Sequence, residues 1–238
     1  MAYQAVFERS EIKYLLSRDQ KQRILDAMEA YMLPDSYGRT TIRNIYFDTE
    51  NYRLIRRSME KPVYKEKLRL RSYVQTQSQT PVFMELKKKY HSIVYKRRLS
   101  VIQEQAVDWI CNGSVPAESQ IAKEIDYFIN YYQTLRPVIF LSYEREAYHC
   151  PGDGGFRITF DDHILARQDR LSLSQEVGGV SLLEEGMVLM EIKTCGGIPM
   201  WLLQVLSREQ IYKTSFSKYG KAYEKIIFPR YKGEMLYA

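Results

Sequence analysis

The chain has 238 residues, of which 45% are hydrophobic and 27% charged, as expected for a globular protein with a sizeable core. Its formal net charge of +6 permits an anionic partner without establishing one. No apolar run approaches the roughly 18 residues of a membrane span, no signal peptide is visible, and the cysteines and histidines lack CxxC or zinc-site spacing, so we expect a single cytoplasmic domain over residues 1–238.

The first predicted elements are a strand and an amphipathic helix. Apolar and polar residues alternate over 5–16, which is typical of a strand. Ser17 and Gln20 then form a capping-box pattern, and apolar residues at helical spacing predict a helix over 18–32. Pro34 ends that helix.

The rest of the chain changes several times between strand and helix patterns. Further strands are predicted over 40–49, 63–74, 81–92, 93–102, 137–150, 155–168 and 187–195. Helices are predicted over 103–112, 118–135, 199–212 and 217–227, with a short helix or turn over 50–57. The fold class is therefore α+β, with about seven or eight strands in a large antiparallel sheet or barrel.

Several predicted strands carry a charged face opposite an apolar face. In the segment EKLRLRSY, Lys67, Arg69 and Arg71 share one face and the leucines occupy the other. Three strands contain Glu-x-Lys, as the pairs Glu11/Lys13, Glu85/Lys87 and Glu191/Lys193. One such pair is usually a solvated surface, and an open sheet with its polar face in water would explain all three pairs in this way. The recurrence on three strands, together with the neighbouring arginines, is harder to explain as surface alone if the sheet closes.

The amphipathic helices need an apolar surface to cover, which favours a closed sheet with its charges inside and its helices outside. The inward candidates are eight cations and three acids, namely Lys13, Lys67, Arg69, Arg71, Lys87, Arg145, Arg157 and Lys193 with Glu11, Glu85 and Glu191. Like charges ~4 Å apart repel by about 4 kcal/mol at an effective dielectric constant of ~20. Such a surface suits a chain of phosphates, and the carboxylates suit Mg²⁺ or Mn²⁺.

The sequence resembles the VTC (vacuolar transporter chaperone) polyphosphate polymerase domain, within the triphosphate tunnel metalloenzymes that include the CYTH proteins. The resemblance covers nearly the whole chain and is carried by EIKYLL, IRNIYFDT, EKLRLRSY, FMELKKK, YKRRLSV, LSYEREAY, RITFDDHI, LMEIKT and SFSKYGKAY. The FSKY segment after the last Glu-x-Lys strand favours the VTC branch over other tunnel enzymes.

This resemblance implies a closed antiparallel β-barrel in which the γ-phosphoryl group of ATP is transferred to polyphosphate with Mn²⁺ or Mg²⁺. It implies catalytic phosphate contacts from Lys13, Arg69, Arg71, Lys87, Arg145, Arg157 and Lys218. Further substrate contacts are expected from Lys67, Lys96, Arg98 and Lys193, and metal ligation from Glu191, Glu85 and Glu11. ATP and polyphosphate or triphosphate are the expected partners. We expect no nucleic acid among the binding partners, and a membrane protein as a partner remains possible.

Two other functions stay open from the sequence. A triphosphatase of the same tunnel fold would use water as the acceptor in place of a phosphate chain. A non-catalytic module would bind polyphosphate, or single-stranded RNA through basic strands with interleaved aromatic residues. The repeated glutamates argue against a nucleic-acid groove because carboxylates repel the phosphate backbone. Asp48, in the segment YFDT, is expected to cap the residues that follow it.

Overall fold

The structure is a computed structural model that describes residues 10–91 and 93–231, so residues 5–9 of the first predicted strand lie outside it. The strands in these ranges are Ser10–Ser17 (β1), Leu33–Pro34 (β2), Thr40–Asp48 (β3), Tyr64–Ser72 (β4), Pro81–Tyr90 (β5), Ile93–Ile102 (β6), Arg136–Cys150 (β7), Asp153–Arg167 (β8), Val180–Ser181 (β9), Met187–Thr194 (β10) and Lys213–Thr214 (β11). The α-helices are Arg18–Met28 (α1), Arg53–Met59 (α2), Gln103–Asn112 (α3), Gln120–Tyr132 (α4), Met200–Arg208 (α5) and Lys218–Ala222 (α6). A π-helical segment, Tyr223–Ile227, continues α6.

The strands form one large antiparallel sheet, in the order β11-β1-β10-β8-β7-β3-β4-β5-β6, with β2 on β7 and β9 on β8. The predicted α+β class and antiparallel sheet are confirmed. Within the described ranges the path of paired strands ends at β11 and β6. Closure of the sheet into a barrel is therefore not shown and stays a prediction.

The chain divides into two compact units, and β7 and β8 contribute residues to both. The first unit comprises Met1–Thr41, Tyr143–Ile164 and Leu183–Phe216. The second unit comprises Ile42–Ser142, Leu165–Leu182 and Ser217–Ala238.

In the first unit, α1 and α5 cover the apolar face of the strands. The strands contribute the buried side chains of Phe156, Ile158, Phe160, Met190 and Ile192, and the helices those of Ile24, Met28, Leu202, Val205 and Leu206. Ser17 begins α1 with the predicted capping box, in which Gln20 N donates to Ser17 Oγ at 3.1 Å and Ser17 N to Gln20 Oε1 at 2.9 Å. The alternation predicted from the sequence is therefore confirmed, because charged residues occupy the face away from these helices.

The second unit repeats this arrangement with α3 and α4. Its core combines Leu68, Leu70, Val82, Met84 and Leu86 of the strands with Ala106, Trp109, Ala122, Ile125 and Phe128 of the helices. The charged side chains of β4, β5 and β6 lie on the opposite face of these strands, away from α3 and α4. Among the described helices, none combines the length and the apolar character needed to cross a membrane.

Candidate functional site

Glu85 stands at the centre of a group of cations in the second unit. Its backbone lies directly opposite Arg69 of β4 on one side and Arg98 of β6 on the other. Arg71 follows two residues after Arg69, so it projects from the same face of β4. Together with Lys96 of β6, these residues are called the Glu85 cluster.

Both carboxylate oxygens of Glu85 are engaged by cations. Oε2 accepts from Arg69 Nε at 2.8 Å and lies 3.9 Å from Arg71 Nε. Oε1 accepts from Arg98 Nε at 2.6 Å and lies 2.7 Å from Lys96 Nζ. The Glu85 side chain is only 1% exposed, whereas those of Lys96 and Arg98 are 41% and 35% exposed. One buried carboxylate thus organises four cations, two of which have substantial solvent-facing surface.

These charges set the protonation of the cluster. Burial opposes ionisation of Glu85, but the charges of Arg69, Arg71 and Lys96 hold its pKa well below its usual range. Burial lowers the pKa of Lys96 to about 7, with Arg98 and Arg69 contributing, although Glu85 acts in the opposite direction. Glu85 is consequently an anion at neutral pH whose two oxygens contact cations, and its metal ligation stays a prediction.

Neutral side chains that the sequence analysis did not select hold the guanidinium groups in place. The distances are 2.9 Å for Arg71 Nε to Asn44 Oδ1, 3.0 Å for Arg69 Nη1 to Tyr46 Oη and 2.9 Å for Arg98 Nη2 to Tyr73 Oη. Asn44 and Tyr46 lie opposite Arg71 and Arg69 in the β3–β4 ladder. The alternation of β3 puts both on one face, and this was the sequence signal that could have identified them.

The predicted lysines continue this charged surface along the strands. Lys67 lies directly opposite Lys87, which lies directly opposite Lys96, so one cross-strand row contains three lysines. Lys67 Nζ also lies 3.1 Å from Ser217 Oγ and 5.7 Å from the ring centre of Tyr219. Lys218, the first residue of α6, is half-buried. The structure therefore brings the FSKY segment against the cationic strand β4.

Asp48 anchors that segment. Its carboxylate accepts from the backbone nitrogens of Thr49 and Leu54 at 2.8 Å and of Ile55 at 3.0 Å, which confirms the predicted cap. It also accepts from Tyr219 Oη at 2.8 Å. The ring of Tyr219 stacks on that of Tyr46, with centroids 4.8 Å apart. A continuous set of contacts thus runs from α2 through Tyr219 to the Glu85 cluster.

A second group, in the first unit, brings three carboxylates together with cations. It consists of Glu11 and Lys13 of β1, Arg145 of β7, Asp161 of β8 and Glu191 of β10, and is called the Glu191 cluster. Lys13 Nζ lies 3.1 Å from Glu11 Oε1 and 3.3 Å from Glu191 Oε1, and it donates to the Phe216 carbonyl at 2.9 Å.

Arg145 completes the Glu191 cluster through a two-point contact with Asp161. Arg145 Nε and Nη2 donate to the two oxygens of Asp161 at 2.5 and 2.6 Å, and Nη2 lies 3.3 Å from Glu191 Oε2. Although burial disfavours the cation, Tyr143, Asp161 and Glu191 raise the pKa of Arg145 well above the ordinary arginine value. Asp161 was not among the predicted site residues, although its position on the face of Arg157 was visible in the sequence.

The carboxylate oxygens of the Glu191 cluster are suitable ligands for a hard divalent cation. Glu11 and Glu191 both reach the same lysine nitrogen, and Mg²⁺ and Mn²⁺ prefer such oxygen ligands. Another group, Glu144, Asp162 and His163, has its ligand atoms within 4.8 Å of one another. Arg39 donates to Glu144 and Asp162 at 2.5 Å, as Lys13 contacts Glu11 and Glu191, so both acidic groups already have a cationic partner.

Arg157 and Lys193 lie beside the Glu191 cluster on paired strands. Lys193 is directly opposite Glu11 on one side and Arg157 on the other. Arg157 Nη2 donates to Asp35 Oδ2 at 2.9 Å, and 43% of the Arg157 side chain is exposed. The predicted site residues of the strands therefore lie on the charged faces of the two units and Lys218 lies in α6, while the roles of all of them stay predictions.

Comparison with known proteins identifies a family and a fold. The family model of the VTC domain matches residues 8–227. No curated protein matches the chain. Among solved structures, a proposed adenylyl cyclase from Hippeastrum, HpAC1, is 17% identical, covers 89% of this chain and 93% of its own, and has a TM-score of 0.55. That structure is described as revealing a dominant triphosphatase activity.

A second solved structure agrees with the first. A proposed adenylate cyclase from Bacillus halodurans is 13% identical, covers 88% of this chain and 95% of its own, and has a TM-score of 0.54. At these identities the two structures establish a shared fold.

Proposed function

This chain belongs to the VTC domain family, and from that membership we propose that it is a metal-dependent polyphosphate polymerase. It would transfer the γ-phosphoryl group of ATP to the end of a growing polyphosphate chain. The observation that carries the proposal is the Glu85 cluster, in which one carboxylate holds four cations on the charged face of the sheet. The proposal includes closure of that sheet into the barrel expected from the family.

The cations of the second unit would bind phosphate oxygens. Arginine can hold phosphate with two parallel hydrogen bonds, and lysine acts as a mobile point charge. Arg69 and Arg98 are fixed by Glu85 and by tyrosine hydroxyls, so their guanidinium groups are positioned before substrate arrives. Such fixed charge favours a reaction in which two polyanions must be held in line.

The carboxylates of the first unit would hold the metal. Glu191 and Glu11 are the proposed ligands, and a bound Mn²⁺ or Mg²⁺ would neutralise phosphate charge. Lys13 and Arg145 would keep these carboxylates ionised and oriented. We assign Glu85 to the counter-ion role, because four cations already contact its two oxygens.

A triphosphatase is the second candidate, favoured by the activity described for HpAC1. The same cations and metal would then act on a triphosphate, with water as the acceptor. In the polymerase reaction the attacking terminal phosphate is already anionic, so that reaction does not require a strong general base from the protein.

The experiment is incubation of the purified chain with ATP and Mn²⁺, followed by a polyphosphate-stained gel and a free-phosphate assay. A ladder of long products supports the polymerase, whereas free phosphate without a ladder supports the triphosphatase. Metal-independent retention of polyphosphate without turnover would identify a binding module instead. The Arg69→Ala/Arg71→Ala variant is the loss control for each activity.

A further inference from the structure

The side-chain hydroxyl of Thr159 is buried without a hydrogen-bond partner. Thr159 is 4% exposed, and its Oγ1 has no partner among the residues that the structure describes. Most buried polar atoms in folded proteins are paired, and leaving one unpaired costs free energy. A hydroxyl kept in this state therefore calls for an explanation.

The position of Thr159 places that hydroxyl in the Glu191 cluster. Thr159 lies directly opposite Glu191 in the β8–β10 ladder, and Glu191 lies directly opposite Lys13 in the next ladder. Residues directly opposite each other in antiparallel strands project to the same side. Ile158 and Phe160 project to the other side, into the core beneath α1 and α5. The unpaired oxygen is thus on the charged face, beside the carboxylate proposed to hold the metal.

The charged groups around Thr159 Oγ1 indicate which kind of ligand could hydrogen-bond to it. Three carboxylates, those of Glu11, Asp161 and Glu191, meet in this cluster and contact Lys13 and Arg145. Carboxylates repel a phosphate and attract a hydrated cation. Mg²⁺ and Mn²⁺ dehydrate reluctantly and keep several waters, each of which has hydrogens to donate.

We propose that Thr159 is a positioning residue whose Oγ1 accepts a hydrogen bond from a water molecule of the divalent cation held by Glu191 and Glu11. This inference rests on the metal site of the proposed function. Groups that hydrogen-bond to metal ligands typically change metal affinity 10- to 100-fold when they are mutated. The unpaired hydroxyl is then explained as a site prepared for the hydrated ion.

The test is a titration of the full chain with Mn²⁺ in the absence of nucleotide. Electron paramagnetic resonance measures the concentration of free Mn²⁺ at each step. Thr159→Val keeps the shape of the side chain and removes the hydroxyl, so we expect a Kd for Mn²⁺ raised about tenfold. Its melting temperature should equal or exceed that of the wild type, because an unpaired buried hydroxyl is replaced by a methyl group. Thr159→Ser should keep the wild-type affinity within about twofold.

The Glu191→Gln variant shows whether a failed prediction concerns the role of Thr159 or the proposed metal site itself. Wild-type affinity in Thr159→Val, with weakened binding in Glu191→Gln, would overturn the role of Thr159 alone. Unchanged Mn²⁺ binding in Glu191→Gln would overturn both the proposed metal site and this inference. A lowered melting temperature in Thr159→Val would identify a structural hydroxyl and would also contradict the proposal.

Discussion

The Glu85 and Glu191 clusters start from the same Glu-x-Lys pattern but surround their glutamates differently. In the second unit, Glu85 alone contacts four cations. In the first unit, Glu191 shares two cations, Lys13 and Arg145, with Glu11 and Asp161. The local pattern along one strand therefore does not determine the charge of the site.

Cross-strand neighbours cause the difference. Glu85 lies between Arg69 and Arg98, whereas Glu191 lies between Lys13 and Thr159. The first environment favours polyanions, and the second favours a hydrated cation. Under the proposed function the two clusters would therefore have divided roles, with phosphate binding assigned to the Glu85 cluster and metal binding to the Glu191 cluster.

The largest expected effect is loss of the two arginines of β4. Hydrogen bonds to charged groups contribute ~1.5–3 kcal/mol each, so Arg69→Ala/Arg71→Ala should lose about 3–6 kcal/mol of transition-state stabilisation. That corresponds to a roughly 10²- to 10⁴-fold fall in kcat/KM, measured with ATP and Mn²⁺. Wild-type turnover by this variant would exclude a role of the Glu85 cluster in catalysis.

Arg97→Ala is the matched control. Arg97 lies on β6 between Lys96 and Arg98 but is directed to the opposite face, where its Nε donates to Glu124 Oε2 at 2.8 Å. The Arg97→Ala substitution changes the net charge of the same strand without removing a partner of Glu85, so kcat/KM should stay within about twofold of wild type. Arg69→Lys, which keeps the charge and loses the two-pronged contact, should fall between the two variants.

The second expected effect is a difference in stability between the Glu85→Gln and Glu191→Gln variants. Glu85→Gln leaves its cations without their buried anion, so the free energy of unfolding should fall by about 3 kcal/mol, the lower end for broken buried ion pairs. Glu191→Gln should cost less than Glu85→Gln, because Lys13 keeps Glu11 as a partner and Arg145 keeps Asp161. Urea denaturation measures both. Equal losses would remove the distinction between the clusters.

The third effect concerns the anchor of α6. Tyr219→Phe removes the hydrogen bond to the buried carboxylate of Asp48, at an expected cost of about 1.5 kcal/mol in unfolding free energy. Because Tyr219 stacks on Tyr46 beside Arg69, the affinity for tripolyphosphate should fall as well, while the affinity for Mn²⁺ should not. A change confined to Mn²⁺ binding would contradict the division of roles.

The remaining effect is a pH dependence specific to the Glu85 cluster. The pKa of Lys96 is lowered to about 7, against an ordinary value of 10.5, because burial and neighbouring arginines disfavour its charge. Between these values the unfolded chain binds the additional proton, so stability should rise with pH. The unfolding free energy of wild type relative to Lys96→Met should therefore increase from about pH 7 towards pH 10 and level off below pH 7. A flat difference would contradict the lowered pKa.

Secondary structure followed largely from periodicity. Helix 103–112 was predicted with its observed bounds, whereas the helix predicted to 32 ends at Met28. The error arose because Tyr31 continues the apolar spacing, yet it is 49% exposed and stacks on Trp201. The two-residue strands β2, β9 and β11 escaped prediction because so short a segment shows no alternation.

The charged faces of the sheet were predictable, but the partners within them were not. Alternation put Glu85 and Glu191 on polar faces, and the structure confirms this. The ion pair of Arg145 with Asp161 depends on strand register, which the sequence does not reveal without the turn geometry. The unpaired hydroxyl of Thr159 likewise emerges only from packing.

The most direct test of the divided roles is crossed titration calorimetry on two variants. Tripolyphosphate is titrated in the presence of chelator, and Mn²⁺ is titrated without phosphate. The account predicts that Arg69→Ala/Arg71→Ala loses tripolyphosphate binding and keeps Mn²⁺ binding, while Glu191→Gln does the reverse. Loss of both ligands by both variants, or retention of Mn²⁺ by Glu191→Gln, would contradict it.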